Sequence, residues 1–175
     1  NSVHGEYAGV AYGNNAAFPE FRRCVFAGNR SSEHGGVFYT GGLSGWSVQV
    51  FNCLFAGNFA GWDGGVAYFR HAGANPQIGN CTVAGNTRAF CVNADLGGGN
   101  IKFFNSIIWS NAAYQYSIYA GRINTTYTDL DQAPNFNAGN TIRVDPAWQP
   151  PTGGTWTSDA QFEVPRGLTV LIDAT

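Results

Sequence analysis

The chain has 175 residues and little charge: Asp, Glu, Lys and Arg make up 11% of it, lysine occurs once (Lys102), and the net charge is −2. Without a basic patch there is no electrostatic case for nucleic acid or an anionic membrane surface as a partner. No apolar run approaches the roughly 20 residues of a membrane-crossing helix, so no membrane span is expected. No stretch keeps an apolar period of 3.6 residues, which argues against helices. The four cysteines, Cys24, Cys53, Cys81 and Cys91, form no Cys-x-x-Cys pair and have no histidine at ligand spacing, which argues against zinc. The chain opens on Asn1 rather than methionine. It reads as a processed or excised piece, and a fragment of a longer precursor is one reading of it.

What is abundant points elsewhere. Hydrophobic residues make up 44% of the chain, aromatics 15%, and there are 24 glycines. That apolar content rules out a disordered chain. Glycine and asparagine tolerate the positive φ of tight turns, so short strands joined by such turns are expected. The low lysine content and the Ser, Thr, Asn and Gly-rich surface lean towards an extracellular or cell-surface location.

One block recurs. Phe21 to Asn29 reads FRRCVFAGN, Val50 to Asn58 reads VFNCLFAGN and Ile78 to Asn86 reads IGNCTVAGN, with a worn copy, FFNSIIWSN, from Phe103 to Asn111. The closing asparagines Asn29, Asn58, Asn86 and Asn111 are 29, 28 and 25 residues apart. A fixed period of this size is the mark of a solenoid. A second block, Gly-Val-x-Tyr, begins about seven residues after Asn29 and Asn58, as Gly36-Val37-Phe38-Tyr39 and Gly65-Val66-Ala67-Tyr68, and Arg88 to Asn93 and Tyr116 to Tyr119 read as its weaker successors.

Each coil therefore has three expected extended segments: the Gly-Val-x-Tyr strand, a strand ending at Phe21, Val50, Ile78 or Phe103, and a strand beginning at Cys24, Cys53, Cys81 or Ser106. Period-2 geometry points Cys24, Phe26, Cys53, Phe55, Cys81, Val83, Ser106 and Ile108 inward, with Val25, Leu54, Thr82 and Ile107 outward. Val48, Val50, Ile101 and Phe103 should also face in. Like residues then stack about 4.8 Å apart. The asparagines Asn52, Asn80 and Asn105, with Arg23 in the first copy, mark a bend. They and Asn29, Asn58, Asn86 and Asn111 are assigned structural work, through left-handed backbone and stacked amides.

These Asn-Cys-x-Phe-x-Gly-Asn and Gly-Gly-Val-x-Tyr blocks resemble the right-handed parallel β-helix repeat family of pectin-lyase-like architecture. They are also similar to repeats of bacterial polymorphic surface proteins. The stretch Asn105 to Asn111, followed by Tyr127-Thr128-Asp129 and Val144-Asp145-Pro146, resembles the end of such arrays. The expected fold is all-β: a right-handed parallel β-helix (solenoid) of about five coils over residues 1–146. A C-terminal non-repeat β segment follows over 147–175, ending in a strand candidate, Leu168, Thr169, Val170, Leu171 and Ile172.

Several residues raise questions of chemistry. The cysteine column reads as buried free thiols filling space as small apolar groups, with a disulfide involving Cys91 as the alternative and a nucleophile disfavoured for want of a partner histidine. The sequons Asn29-Arg30-Ser31, Asn80-Cys81-Thr82 and Asn124-Thr125-Thr126 offer candidate glycosylation sites. Asn124 and Asn29 are the acceptors considered, with Asn80 expected to be poorly accessible. Alignment of the repeats stacks Glu6 under Glu33 and His34 under Asp63, with Arg70-His71 following. The resemblance implies lyases that use carboxylates, Ca²⁺ and a basic residue, and glycosidases need two carboxylates about 5–9.5 Å apart. Carboxylates are too sparse here for a calcium cage of six to eight oxygens. No metal or other cofactor is expected, and a solvated surface pair is favoured over a catalytic one. Trp46, Trp62, Trp109, Tyr114, Tyr116 and Trp148 fall in turns or at repeat edges, where aromatics pack on loops, stack on sugars or make subunit contacts.

The functional expectation is a non-enzymatic extracellular structural or adhesive protein that assembles head-to-tail with itself, using the Leu168 to Ile172 strand. The alternative is a polysaccharide-binding module or carbohydrate-active lyase or hydrolase, with Glu33, Asp63, His34 or Arg70 beside Trp46 or Trp62.

Overall fold

The computed structural model describes residues 4–13, 18–41, 47–70, 75–93, 100–112, 116–120, 122–130 and 138–139. Every regular element among them is a β-strand, and all strand pairing is parallel. The first turn comprises β1 (His4–Tyr7), β2 (Ala11–Gly13), β3 (Glu20–Arg22) and β4 (Val25–Ala27). The second comprises β5 (Arg30–His34), β6 (Phe38–Thr40), β7 (Gln49–Phe51) and β8 (Leu54–Ala56). The third comprises β9 (Phe59–Ala60), β10 (Ala67–Phe69), β11 (Gln77–Gly79) and β12 (Thr82–Ala84). Then follow β13 (Phe90–Asn93), β14 (Asn100–Phe104), β15 (Ile107–Trp109), β16 (Tyr116–Ala120), β17 (Arg122–Thr126), β18 (Asp129–Leu130) and β19 (Ala138–Gly139).

The result is a parallel β-solenoid with four faces. Their strand orders are β1-β5-β9, β16-β13-β10-β6-β2, β19-β17-β14-β11-β7-β3 and β18-β15-β12-β8-β4. Two expectations are corrected. Three turns are complete on all four sides, fewer than the five coils expected, and the later strands extend only three of the faces. The fourth face, β1-β5-β9, was not anticipated. Its central strand, Arg-Ser-Ser-Glu-His, has no apolar alternation because its inward position is small: Ser31 is buried and pairs with buried Ala60. The Ser31 hydroxyl is satisfied locally, 2.7 Å from His34 O and 3.0 Å from Glu6 O.

The other three faces enclose the core. One column runs Phe26, Phe55, Val83, Ile108 and Leu130 from strand to strand, another Phe21, Val50, Ile78 and Phe103. The third runs Ala11, Phe38, Ala67, Phe90 and Tyr116. Small and large alternate from Ala11 to Phe90, and only the last step, Phe90 to Tyr116, sets two rings on successive rungs. Phe26 and Phe55 stack with centroids 4.8 Å apart, and Phe55 is fully buried; burial of such a side chain is worth about 2–3 kcal/mol. Val48 and Ile101 are buried as well, while Val25 is exposed and Leu54, Thr82 and Ile107 are half-buried. Tyr116, expected in a turn or at a repeat edge, lies in the core because it pairs with Phe90. The 147–175 segment, with Leu168 to Ile172, lies outside the described residues.

Between the first two faces the chain turns a corner at Ala8, Gly35, Gly64 and Arg88, all with positive φ. The next position is a glycine column for a different reason. A Cβ on Gly9, Gly36 or Gly65 would collide with the carbonyl oxygen of Gly36, Gly65 or Thr87 on the following coil. Replacing Gly36 with alanine must push two coils apart, and a decrease in stability of about 1–3 kcal/mol is expected in chemical denaturation. A Gly36→Ala protein as stable as its parent would show that the coils do not make this backbone contact.

Candidate functional site

The sequence singles out three columns, and the structure gives each a distinct physical role. At the bend between the third and fourth faces, Arg23, Asn52, Asn80, Asn105 and Tyr127 have φ between 47° and 56°. An L-residue enters this region at a cost, which asparagine bears better than most. The next residue is Cys24, Cys53, Cys81, Ser106 or Thr128. Its side-chain donor spans the bend to the carbonyl two residues back: Arg22 O (3.3 Å), Phe51 O (3.2 Å), Gly79 O (3.1 Å), Phe104 O (2.8 Å) and Thr126 O (3.0 Å). The same side-chain atom accepts from the coil before it, as in Cys24 N to Cys53 Sγ (3.3 Å) and Cys81 N to Ser106 Oγ (3.1 Å). Thiol and hydroxyl interchange because the column asks for one small group that both donates and accepts. This goes beyond the apolar filling expected of the cysteines.

All four thiols are free. Cys53 and Cys81 are buried and Cys24 is half-buried. Cys91 stands apart from the column, fully buried against Ala8, Tyr39 and Tyr68. Burial pushes the Cys81 thiol up to about 12 and raises Cys53 and Cys91 too. These three stay protonated at neutral pH, and a thiolate is what nucleophilic attack requires.

The closing asparagines form the second column, and they are buried. Here the left-handed backbone belongs to the residue before: Gly28, Gly57, Gly85 and Ser110 have positive φ. The asparagine side chain turns inward instead. Asn58 Oδ1 accepts from Asn29 N (3.0 Å) and Asn29 Nδ2 (2.8 Å). Asn86 Oδ1 accepts from Asn58 N (2.9 Å) and Nδ2 (2.8 Å), and Asn111 Oδ1 from Asn86 N (3.0 Å) and Nδ2 (2.8 Å). Each later amide also donates to a core-strand carbonyl, such as Asn58 Nδ2 to Phe26 O at 2.9 Å. An amide left without these partners in the interior costs about 1–3 kcal/mol.

The third assembly lies outside the core, where the first and second faces meet at the corner. Strands β2, β6 and β10 turn Tyr12, Tyr39 and Tyr68 outward from the solenoid. The rings stack nearly parallel, 5.4 Å and 5.5 Å between centroids. Strand β5 brings His34 against them. Its ring centroid lies 4.1 Å from Tyr68, 5.1 Å from Trp62 and 6.3 Å from both Tyr7 and Tyr39. The backbone of Asp63, one coil on, forms a parallel β-bridge with that of His34, a hydrogen bond to Glu33 raises the Tyr7 phenol, and Arg70 hydrogen-bonds Tyr39. Arg88 Nη1 donates to Trp62 O. The sequence pointed to Glu33, His34, Asp63, Arg70 and Trp62, and the structure brings them together. The tyrosine column was visible in the repeat but its outward direction was not recognised. Trp62 is exposed and Trp109 half-buried; Trp46, His71, Tyr114 and Trp148 lie outside the described residues. No group of three or more His, Cys, Asp and Glu side chains among the described residues is placed to hold a metal.

Burial lowers the pKa of His34, opposed by the charges of Asp63 and Glu33 and reinforced by Arg70. Its Nδ1 is buried without a hydrogen-bond partner among the described residues. The chain matches no known family, no curated protein and no solved structure.

A histidine whose folded pKa lies below its unfolded value of about 6.5 favours the folded state while neutral. Below pH ~6.5 the unfolded chain takes up a proton that the folded corner refuses. Stability therefore decreases as pH drops from there through the folded pKa, and then levels off. Denaturation midpoints measured between pH 8 and 5 should show this loss in the parent and a flatter profile in His34→Gln. Identical profiles would mean His34 carries no such linkage.

Proposed function

We propose that this chain is a non-enzymatic structural or adhesive solenoid of the cell exterior that assembles end to end with copies of itself. The observation that carries this reading is the state of the first turn. All four of its strands, β1 to β4, lie at the outer edges of their sheets, where unpaired backbone groups invite a further strand. Five of the six exposed large apolar side chains among the described residues, Tyr7, Val10, Tyr12, Phe18 and Val25, belong to it. One coil further in, two of these positions are fully covered, with Val10 45% exposed and Val37 0%, Tyr12 52% and Tyr39 4%, and Leu54, the counterpart of exposed Val25, is half-buried. A coil stacked on the first turn would bury these groups similarly.

The asparagine column supports the same reading and gives it a direction. Each coil donates its asparagine N–H groups to the Oδ1 of the next, so Asn29 Oδ1, to which no described residue donates, presents an unused acceptor at this end. Two first turns facing each other would set acceptor against acceptor. Head-to-tail stacking avoids that clash and yields an open, filament-forming geometry. The likeness to polymorphic surface-protein repeats agrees with an extracellular or cell-surface setting, and the apolar stretch Leu168 to Ile172, a strand candidate by sequence, is the proposed contribution of the neighbouring copy.

Sedimentation of the full chain over a concentration series tests this. The parent should form species larger than a monomer. Val10→Lys with Val25→Lys should shift the equilibrium towards monomer by tenfold or more, as charges on edge strands do, and removal of residues 168–172 should weaken assembly in the same direction. A parent that remains monomeric at high concentration sinks the proposal.

A second reading is favoured by the convergence of Glu33, His34, Asp63 and Arg70 beside exposed Trp62: a polysaccharide-binding or carbohydrate-active corner. The tyrosine rings occupy one another's faces, which leaves chiefly Trp62, Tyr7 and Tyr12 to stack on sugar. A screen of acidic polysaccharides with and without Ca²⁺ would reveal binding or turnover that Glu33→Ala and Asp63→Ala abolish; a blank screen removes this reading.

A further inference from the structure

The three sequons differ in what their asparagines already do. Asn29 is buried, its Nδ2 donates to Asn58 Oδ1 at 2.8 Å, and Ser31, the hydroxyl residue of that sequon, is buried too. A sugar on Asn29 Nδ2 would remove a hydrogen of the asparagine column and force a large polar group into the wall of the solenoid. Asn124 is half-buried in the middle of β17, in the strand register with Lys102. Asn80 differs from both. It is exposed, at the apex of the bend with φ 53°. Its backbone N–H bonds Phe104 O (3.0 Å), while its carboxamide makes no hydrogen bond to any described residue. The expectation that Asn80 is poorly accessible is thereby corrected: the bend turns Cys81 inward and leaves Asn80 outside.

A second observation stands on the strand that follows. The outward row along this face is Val25, Leu54, Thr82 and Ile107. The row continues to Asp129 on β18, and Thr82 is the one hydroxyl in it, two residues after Asn80. The other bend asparagines are followed at that distance by Leu54 and Ile107, so neither completes a sequon.

We infer that Asn80 is an N-glycosylation site, taking an oligosaccharide from a lipid-linked diphosphate donor, whereas Asn29 is excluded by its place in the wall. In the transfer Asn80 Nδ2 forms a bond to C1 of the first sugar, the C1–O bond to phosphate breaks, the lipid diphosphate leaves with the electron pair, and the amide gives up one proton. The Asn-x-Thr sequence is what the transfer machinery reads. The bend is compatible with the product, because the attached nitrogen carries no structural hydrogen bond. The glycan would stand on the flank of the solenoid, away from the outer edge of the first turn, so this inference does not depend on end-to-end assembly.

Secretion of the full chain from a eukaryotic host, followed by peptide mapping before and after enzymatic deglycosylation, tests the assignment. The expected result is a glycan on Asn80 in the majority of secreted molecules. Thr82→Ser should keep it and Thr82→Val should lose it, with the melting transition of each variant close to the parent's. Asn80 found bare in the parent overturns the inference. So does a glycan on Asn29 in protein that melts as the parent does, because the column could not then be closed to modification.

Discussion

The spacing between successive coils governs this molecule. Parallel strands hydrogen-bond from one coil to the next, and neighbouring strands of a sheet sit about 4.8 Å apart. A residue therefore meets its counterpart on the next coil more closely than almost anything else. Each position becomes a column with its own packing problem. The apolar columns solve it with stacked rings or alternating sizes. The glycine column solves it by removing the side chain where two backbones touch. Polar columns survive in the interior because each group finds its partner one rung along, which removes the penalty of burying it.

The same spacing explains the outer corner. Tyrosines at one repeat position fall at stacking distance, and the corner folds His34 against them. Charge is scarce in this chain, and four of its ionisable groups, Glu33, His34, Asp63 and Arg70, gather at this one corner. Their neighbours are mainly aromatic, and burial rather than pairing dominates the titration of His34. In the first turn the columns meet solvent, and side chains that are covered elsewhere lie open.

Much of this was legible in the sequence. The alternation around Cys53-Leu54-Phe55 gave the inward and outward sides, and the repeated asparagine before the cysteine marked the left-handed bend at Asn52, Asn80 and Asn105. The fourth face was not legible, because Ser31 and Ala60 fill its inward position and such small residues carry no hydrophobic period. Tyr116 to Tyr119 was legible as a weak successor of the Gly-Val-x-Tyr strand, but the burial of Tyr116 was missed because its strand lacks the Gly-Val signal that announces Phe38 and Ala67. The cysteines looked apolar until their donors were seen to cross the bend; the replacement of Cys by Ser106 and Thr128 in the same column was the available clue. The corner residues were individually visible, but their meeting depends on how two faces join, which no single strand pattern encodes.

The asparagine column has a sense as well as a structure. Its carboxamides point one way along the solenoid, and each donates to the next, so their dipoles add and each bond polarises its neighbours. The interior thus contains a short polar wire beside the apolar columns. Cutting such a wire at Asn58 or Asn86 leaves two fragments, each with a new loose end, whereas cutting it at Asn29 only shortens it. Residues with the same side chain, burial and role are therefore unequal, and their importance is set by distance from the end of the run.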